Sequence, residues 1–149
     1  MPSPRSADEL LRLDNQLCFA VYSTSLAMTK LYQPHLARLR LTYPQYLAML
    51  ALWESDGPMV SELGARLSLD SGTLTPLLKR LEATGYVERR RAIDDERRVH
   101  IHLTAAGRKL KARAAQVPEC LLAASQCSIS ELTALTRELQ ALRDRLRAA

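Results

Sequence analysis

The segment Ser61–Leu103 restricts the possible folds more than any other stretch of the chain. It opens with SELGARLSLD, a short pattern that places Leu63 and Leu67 on one side, and after a brief turn continues as SGTLTPLLKRLEATG, with Asp70 placed to cap the second piece. Leu74, Leu77, Leu78 and Leu81 recur at three-four spacing and predict one buried face, which leaves Ser71, Thr75 and Lys79 on the other. Gly85 supplies the stop. Two helices this short joined by a tight turn read as a helix-turn-helix. From Tyr86 to Arg91 and from Arg98 to Leu103 the pattern becomes strand-like, with Val99, Ile101 and Leu103 alternating against Arg98, His100 and His102. The charged turn AIDDER joins the two runs, so a hairpin wing follows the helix pair. The expected fold class is mainly α, a winged helix-turn-helix.

The flanks are helical by the same spacing argument. Ser6 and Glu9 read as a capping box ahead of Leu10, Leu13, Leu17, Val21, Met28, Leu31 and Leu39, which predicts one long first helix ending near Arg40. Thr42, Tyr43 and Pro44 restart the chain, and a second helix runs to the stop at Asp56, Gly57 and Pro58. After the wing, Thr104 begins another helix, which Pro118 kinks or restarts. Ser128 and Glu131 form a second capping box before Ile129, Leu132, Leu135, Leu139, Leu142 and Leu146. At 149 residues the chain is short for two independent cores, so residues 1–149 are expected to form one domain. Residues 44–103 are its winged lobe, and residues 6–40 and 104–149 supply dimerisation helices, because their apolar stripes exceed what a small lobe can cover. A homodimer is expected.

A net charge of +5 favours a polyanionic partner, although charge alone decides little. An isolated arginine run is more often a solvated face; Arg89, Arg90, Arg91, Arg97 and Arg98, placed directly after a helix-turn-helix, read instead as a wing for double-stranded DNA. In the second helix, Ser71, Thr73 and Thr75 can exchange hydrogen bonds with bases or phosphates, Gly72 permits close backbone approach, and Lys79 can neutralise a phosphate. Pro76 breaks the helix rule at a cost of ~3 kcal/mol in an ordinary interior. The three cysteines, Cys18, Cys120 and Cys127, are widely spaced and form no ligand pattern with His35, His100 or His102. A strand puts His100 and His102 on one outward face. No metal, no cofactor and no disulfide framework is expected. The start MPSPRSADELL carries no apolar leader, and no run approaches the ~18 apolar residues of a membrane span, so a cytoplasmic protein with no membrane association is expected.

The string SELGARLSLDSGTLTPLLKRLEATGYVERRRAIDDERRVHIHLTAAGR resembles the central DNA-binding segment of the MarR family of regulators. The likeness includes that family's Asp-x-Arg wing pattern at Asp95 and Arg97, followed by Val99, Leu103, Thr104 and Gly107. It implies an Asp95–Arg97 ion pair that shapes the wing, with Arg91 and Arg98 among the DNA contacts. TLTPLLKRL, with Pro76 in place, is similar to the organic-hydroperoxide-sensing branch, and so is LDNQLCFAVYSTSLAMTKLYQPHLARLRLTYPQYLAMLALWE. That resemblance implies a repressor of the two-cysteine kind. Cys18 stands where the branch carries its peroxide-reactive thiol, and Tyr22 and Tyr32 match tyrosines that hydrogen-bond the thiol from the other subunit. The implied partners are a pseudo-palindromic operator, read by two recognition helices one DNA turn apart, and an organic hydroperoxide as effector.

The chemistry asks for a thiolate that attacks a peroxide oxygen and becomes a sulfenic acid. A lone cysteine in a leucine-rich helix is more often a small buried apolar residue, and each tyrosine alone reads as core. LDNQLCF, both tyrosines and the central string together outweigh that reading. The two-cysteine resemblance implies a resolving thiol, Cys120 or, alternatively, Cys127, with Cys120 favoured because it follows Pro118 near a helix start and a purely structural role left open for at least one of the two. Within DNA binding the alternative is a repressor released by a small aromatic ligand, with incidental cysteines. A thiol peroxidase is disfavoured because no second catalytic motif accompanies Cys18, so the chain reads as a regulator and not an enzyme. A pure dimerisation adaptor is the remaining option.

Overall fold

The computed structural model describes residues 5–149; residues 1–4, the beginning of the segment expected to carry no leader, lie outside the described residues. Helices α1 (Ala7–Leu10), α2 (Leu17–Arg38), α3 (Tyr43–Glu54), α4 (Val60–Leu67) and α5 (Ser71–Thr84) precede a hairpin of β1 (Val87–Arg91) and β2 (Val99–Leu103). Helices α6 (Ala105–Ala114), α7 (Gln116–Ser125) and α8 (Ile129–Ala148) follow. Among the described residues no helix is long and apolar enough to cross a membrane.

The expected long first helix is interrupted. Ser6 does cap α1, its Oγ accepting the Glu9 N–H at 3.2 Å, but α1 stops at Leu10 and a single 3-10 turn, Leu13–Asn15, separates it from α2. The cause is side-chain competition for helix carbonyls. Asn15 Nδ2 donates to the Glu9 carbonyl at 2.7 Å, and Gln16 Nε2 donates to those of Leu10 and Arg12 at 2.6 and 2.9 Å. Helix α2 then runs unbroken through Pro34, which has no N–H to return to the Lys30 carbonyl.

Helix α3 starts where the sequence restarts, and it does so through a reciprocal capping box. Thr42 Oγ1 accepts the Gln45 N–H at 3.4 Å, and Gln45 Oε1 accepts the Thr42 N–H at 3.0 Å. Asp70 caps α5 as expected, accepting the Thr73 N–H at 2.7 Å, and Gly85 ends it at φ 92°, a left-handed conformation that costs glycine nothing. Leu74, Leu77, Leu78 and Leu81 are all buried. They meet Leu36, Met49, Leu52, Leu63, Val87 and Ile101 in one core, and a fully buried leucine contributes roughly 1.5–3 kcal/mol.

The hairpin is antiparallel with Val87 opposite Leu103 and Arg91 opposite Val99. The second edge of β2 is also tied down, because Ile101 donates its N–H to the Pro58 carbonyl at 2.9 Å and His100 bridges to Met59. His100 and His102 share a face but do not stand free of the protein. Both are half-buried against the α3–α4 loop, with His100 Nδ1 2.9 Å from the Gly57 carbonyl and the His102 ring against Gly57.

The lobe is locked to its neighbours by long-range polar contacts. Tyr86 donates its hydroxyl to the Leu39 carbonyl at 2.8 Å, and Trp53 Nε1 donates to the Gly107 carbonyl at 2.9 Å. Thr104 caps α6 through the Gly107 N–H at 3.1 Å. Gly107 is sterically obligatory there, since a Cβ would sit 2.1 Å from the Tyr86 carbonyl oxygen. The helix after the wing restarts at Gln116, with Pro118 in the first turn of α7 and no N–H for the Ala114 carbonyl. Helix α7 packs along α2. Ser128 Oγ accepts the Glu131 N–H at 3.1 Å at the start of α8, a helix that buries none of its residues within the chain. Leu13, Leu17 and Val21 at one end of the sequence, and Ile129, Leu135, Leu139 and Leu146 at the other, are exposed.

Candidate nucleic-acid interface and thiol site

The outward face of α5 follows from the leucines on its inward face. Ser71 and Lys79 are exposed, as the leucine spacing predicts, and Gly72, Thr73, Pro76 and Arg80 are exposed with them. Thr75 departs from expectation. It is half-buried beside Leu74, because the four leucines turn it to the edge of the helix and centre the outward face on Gly72, Pro76 and Lys79. Pro76 lies one turn after Gly72, so the residue without an N–H follows the residue without a side chain. The result is a low, flat helix face with cations at its far end. Among the described residues neither Lys79 nor Arg80 has an ion-pair partner. The Thr73 N–H bonded to Asp70 holds that carboxyl below the usual carboxylate range, so the cap is ionised at neutral pH.

Asp95 organises the wing tip. Its Oδ1 accepts the Arg97 N–H at 3.0 Å and lies 3.5 Å from Arg97 Nε, while Oδ2 lies 3.9 Å from Arg98 Nε. The Asp95 carbonyl also accepts the Arg98 N–H at 3.0 Å, and Ala92 donates its N–H to the Arg98 carbonyl at 2.8 Å. The ion pair implied by the resemblance is present, and Arg98 shares the same carboxylate. All these charges are solvent-facing, so their energetic value is small and their effect is geometric. Arg91, Arg97 and Arg98 are exposed, whereas Arg90 is engaged with Glu88. The Arg89 N–H donates to Glu82 Oε2 at 2.8 Å, which joins the end of α5 to the outer edge of β1. Neither Glu82 nor Arg80 emerged from the sequence reading, because neither belongs to a periodic pattern.

Cys18 and Tyr22 are both exposed, one turn apart on α2. Tyr32 is buried and lies on the same helix fourteen residues beyond Cys18, a rise of ~21 Å. Within one chain they do not meet. Tyr32 instead sits in a cluster with Tyr43 and Tyr46, each ring centroid 6.1 Å from its own. Burial raises the pKa of Tyr32 and pushes that of Tyr46 up to about 12, and the nearby Cys120 thiolate charge adds to both effects. Cys120 is half-buried against this core, and burial raises its thiol as well. Tyr43 and Tyr46, both on α3, converge on Tyr32 because α2 and α3 pack together. Cys127 lies between α7 and α8, its Sγ 3.5 Å from the Ser125 carbonyl. Among the described residues no three metal-ligating side chains converge.

Residues 30–114 match the family model described as transcriptional regulator SarA/Rot. The regulator TtmR of Methylorubrum extorquens is 49% identical over 146 residues, spanning 98% of this chain and 75% of that protein. The organic hydroperoxide resistance transcriptional regulator of Bacillus subtilis is 47% identical over 136 residues, 91% of this chain and 92% of that one. Among solved structures, AbfR of Staphylococcus epidermidis superposes with a TM-score of 0.78 at 36% identity, covering 95% of this chain and 98% of that chain. AbfR has been solved reduced and overoxidised on DNA and in a disulfide-formed state. MarR shares the fold at a TM-score of 0.74 and 22% identity, over 90% of this chain and all of that one.

Proposed function

The chain belongs to the SarA/Rot and MarR-type family of winged-helix transcriptional regulators, and from that premise we propose that it is a dimeric repressor released from operator DNA when an organic hydroperoxide oxidises Cys18. The observation that carries the reading is the split of the thiol site along α2. Cys18 and Tyr22 are displayed on an uncovered surface, while Tyr32 and Cys120 sit together ~21 Å further along. A second copy running antiparallel brings the Cys18 of one chain to the Tyr32 and Cys120 of the other, and covers the apolar stripes left open at both ends of the sequence. In this reading residues 44–103 form the DNA-reading lobe and residues 6–40 and 104–149 the dimerisation helices of a single domain.

Each lobe places Ser71, Gly72, Thr73, Pro76 and Lys79 in the major groove, with Thr75 at the edge of the contact. The wing lays Arg91 and Arg98 against the backbone or minor groove, held in shape by Asp95 and Arg97. Two lobes related by a dimer axis address half-sites roughly 34 Å apart on a pseudo-palindrome. The protein works where its DNA is, in the cytoplasm.

The switch is a two-step thiol oxidation. The Cys18 thiolate attacks one oxygen of the hydroperoxide, the O–O bond breaks, and the products are a Cys18 sulfenic acid and the corresponding alcohol. The thiol of Cys120 from the other chain then displaces water from the sulfenic sulfur, giving an intersubunit disulfide. Burial raises the Cys120 thiol and makes it the poorer first nucleophile, while its place beside Tyr32, where the Cys18 of the other chain is brought, suits it to the second step. The names of the Bacillus relative and of the AbfR states support the redox reading. In vitro transcription tests it, using a promoter that carries a duplex selected by the reduced protein from a random library. Reduced protein represses and cumene hydroperoxide restores transcription; transcription restored by salicylate but not by hydroperoxide favours the aromatic-ligand alternative.

A further inference from the structure

The C-terminal helix has an unexpected attachment. Arg147 Nη2, in the last turn of α8, donates to Ser68 Oγ at 2.5 Å. Ser68 is the turn residue of the helix-turn-helix. It closes α4 in a left-handed conformation, φ 58° and ψ 38°, and stands two residues before the Asp70 cap of the recognition helix. A displacement of Ser68 therefore acts directly on the N-terminus of α5, where Ser71, Gly72 and Thr73 lie.

The other end of α8 begins at the thiols. Its cap, Ser128, follows Cys127 directly, and Gln126, at φ 57°, makes the sharp turn from the helix that holds Cys120. Between these ends α8 is a 20-residue rod, ~30 Å long, that buries no residue in its own chain. Within its own chain α8 is therefore tied to α7 at its first turn and to the DNA-reading lobe at its last, while its exposed leucines are left to the second copy.

We propose that Arg147 is a positioning residue, which through Ser68 makes α8 a strut that sets the pose of the recognition helix and carries motion of the Cys120–Cys127 region into the DNA-reading lobe. The positioning part rests on the contact itself; the transmission part rests on the redox reading above. A disulfide to Cys120 needs Cα atoms within about 7 Å, so its formation draws α7 toward the other chain. The α7–α8 turn moves with α7, α8 follows as a body, and the Arg147 end pulls or releases the turn at Ser68. The neighbouring structural reading is that Arg147 merely finds a solvent-exposed hydroxyl, in which case its loss changes nothing at the DNA.

The test uses the full-length protein, a duplex selected from a random library by the reduced wild type, and fluorescence anisotropy before and after cumene hydroperoxide. Arg147→Ala and Ser68→Gly each remove the contact, and glycine keeps the left-handed turn unstrained. Both variants are expected to bind the duplex about two- to fivefold more weakly when reduced, and to lose most of the further drop that hydroperoxide causes in the wild type. Arg147→Lys restores part of both effects, and covalent dimer formation on a non-reducing gel is unchanged in all three. Wild-type values for both Arg147→Ala and Ser68→Gly overturn the strut. If the wild type itself does not respond to hydroperoxide, the redox reading fails, and the reduced affinities alone decide whether Arg147 positions the helix.

Discussion

Replacing Gly107 by alanine sets two physical effects of opposite sign against each other. Glycine to alanine inside a helix normally stabilises by about 0.5–1 kcal/mol, because the backbone gives up less entropy. At Gly107 the new Cβ lands 2.1 Å from the Tyr86 carbonyl oxygen and 3.0 Å from its carbon, both backbone atoms that no rotamer change can move. Relief requires α6 to lift from the wing, which strains the Thr104 N–H bond to that carbonyl, at 3.0 Å, and the Trp53 bond to the Gly107 carbonyl, at 2.9 Å. Overpacking costs roughly 1–3 kcal/mol and a weakened hydrogen bond about 1 more, which outweighs the propensity gain, so the clash wins and the net loss is about 1–3.5 kcal/mol. For a chain of this size that lowers the midpoint by roughly 3–11 °C, followed by circular dichroism at matched protein concentration. A Gly107→Ala protein as stable as the wild type, or more stable, refutes the argument, because helix propensity alone gives that result.

Other expectations follow from the same geometry. Arg98→Ala should lower the salt slope of DNA binding by about 1, seen in titrations from low to moderate salt, whereas Lys79→Ala should weaken operator and random duplex alike. Thr75→Ala, at the helix edge, should shift sequence preference less than Thr73→Ala in a selection on randomised half-sites; a larger shift restores Thr75 to the centre of the reading face. The Asp70 carboxyl has a lowered pKa in the folded state, so its stabilising effect is present above the ordinary aspartate value of about 4 and is lost as pH falls through the lower folded value. Denaturant titrations should accordingly show wild type and Asp70→Asn converging at acid pH and separated at neutral pH. After hydroperoxide treatment, covalent dimer on a non-reducing gel is expected in the wild type and Cys127→Ser but in neither Cys18→Ser nor Cys120→Ser. Because burial raises the Cys120 thiol, dimer formation should accelerate with pH up to and beyond the ordinary cysteine value of about 8.5.

What was legible in the sequence is what local rules encode. The leucines of α5, the Asp70 cap, the Gly85 stop and the alternating hairpin follow from periodicity and from single-residue backbone chemistry, and each stands in the fold where those rules put it. The break between α1 and α2 was hidden because Asn15 and Gln16 compete for carbonyls only in a particular three-dimensional arrangement. Thr75 was misplaced because spacing identifies the centre of a buried face better than its edges. The clustering of Tyr32, Tyr43 and Tyr46 beside Cys120 needs α2, α3 and α7 packed together, and the Arg147–Ser68 contact joins residues 79 apart. No pattern within one element reports either. The cysteine at position 18 stood out through its surroundings in the sequence, and the fold adds that its surface is open while its expected partners lie far along the same helix.

The central claim, that oxidation of Cys18 releases DNA, is tested most directly by titrating the reduced dimer on its selected duplex with cumene hydroperoxide while counting thiols. The account requires binding to fall in proportion to Cys18 oxidised, to be complete at about one hydroperoxide per Cys18, to return with dithiothreitol, and to be absent in a Cys18→Ser protein that still binds the duplex. Release of the Cys18→Ser protein by the same hydroperoxide, or full DNA binding by wild type whose Cys18 is wholly oxidised, contradicts it.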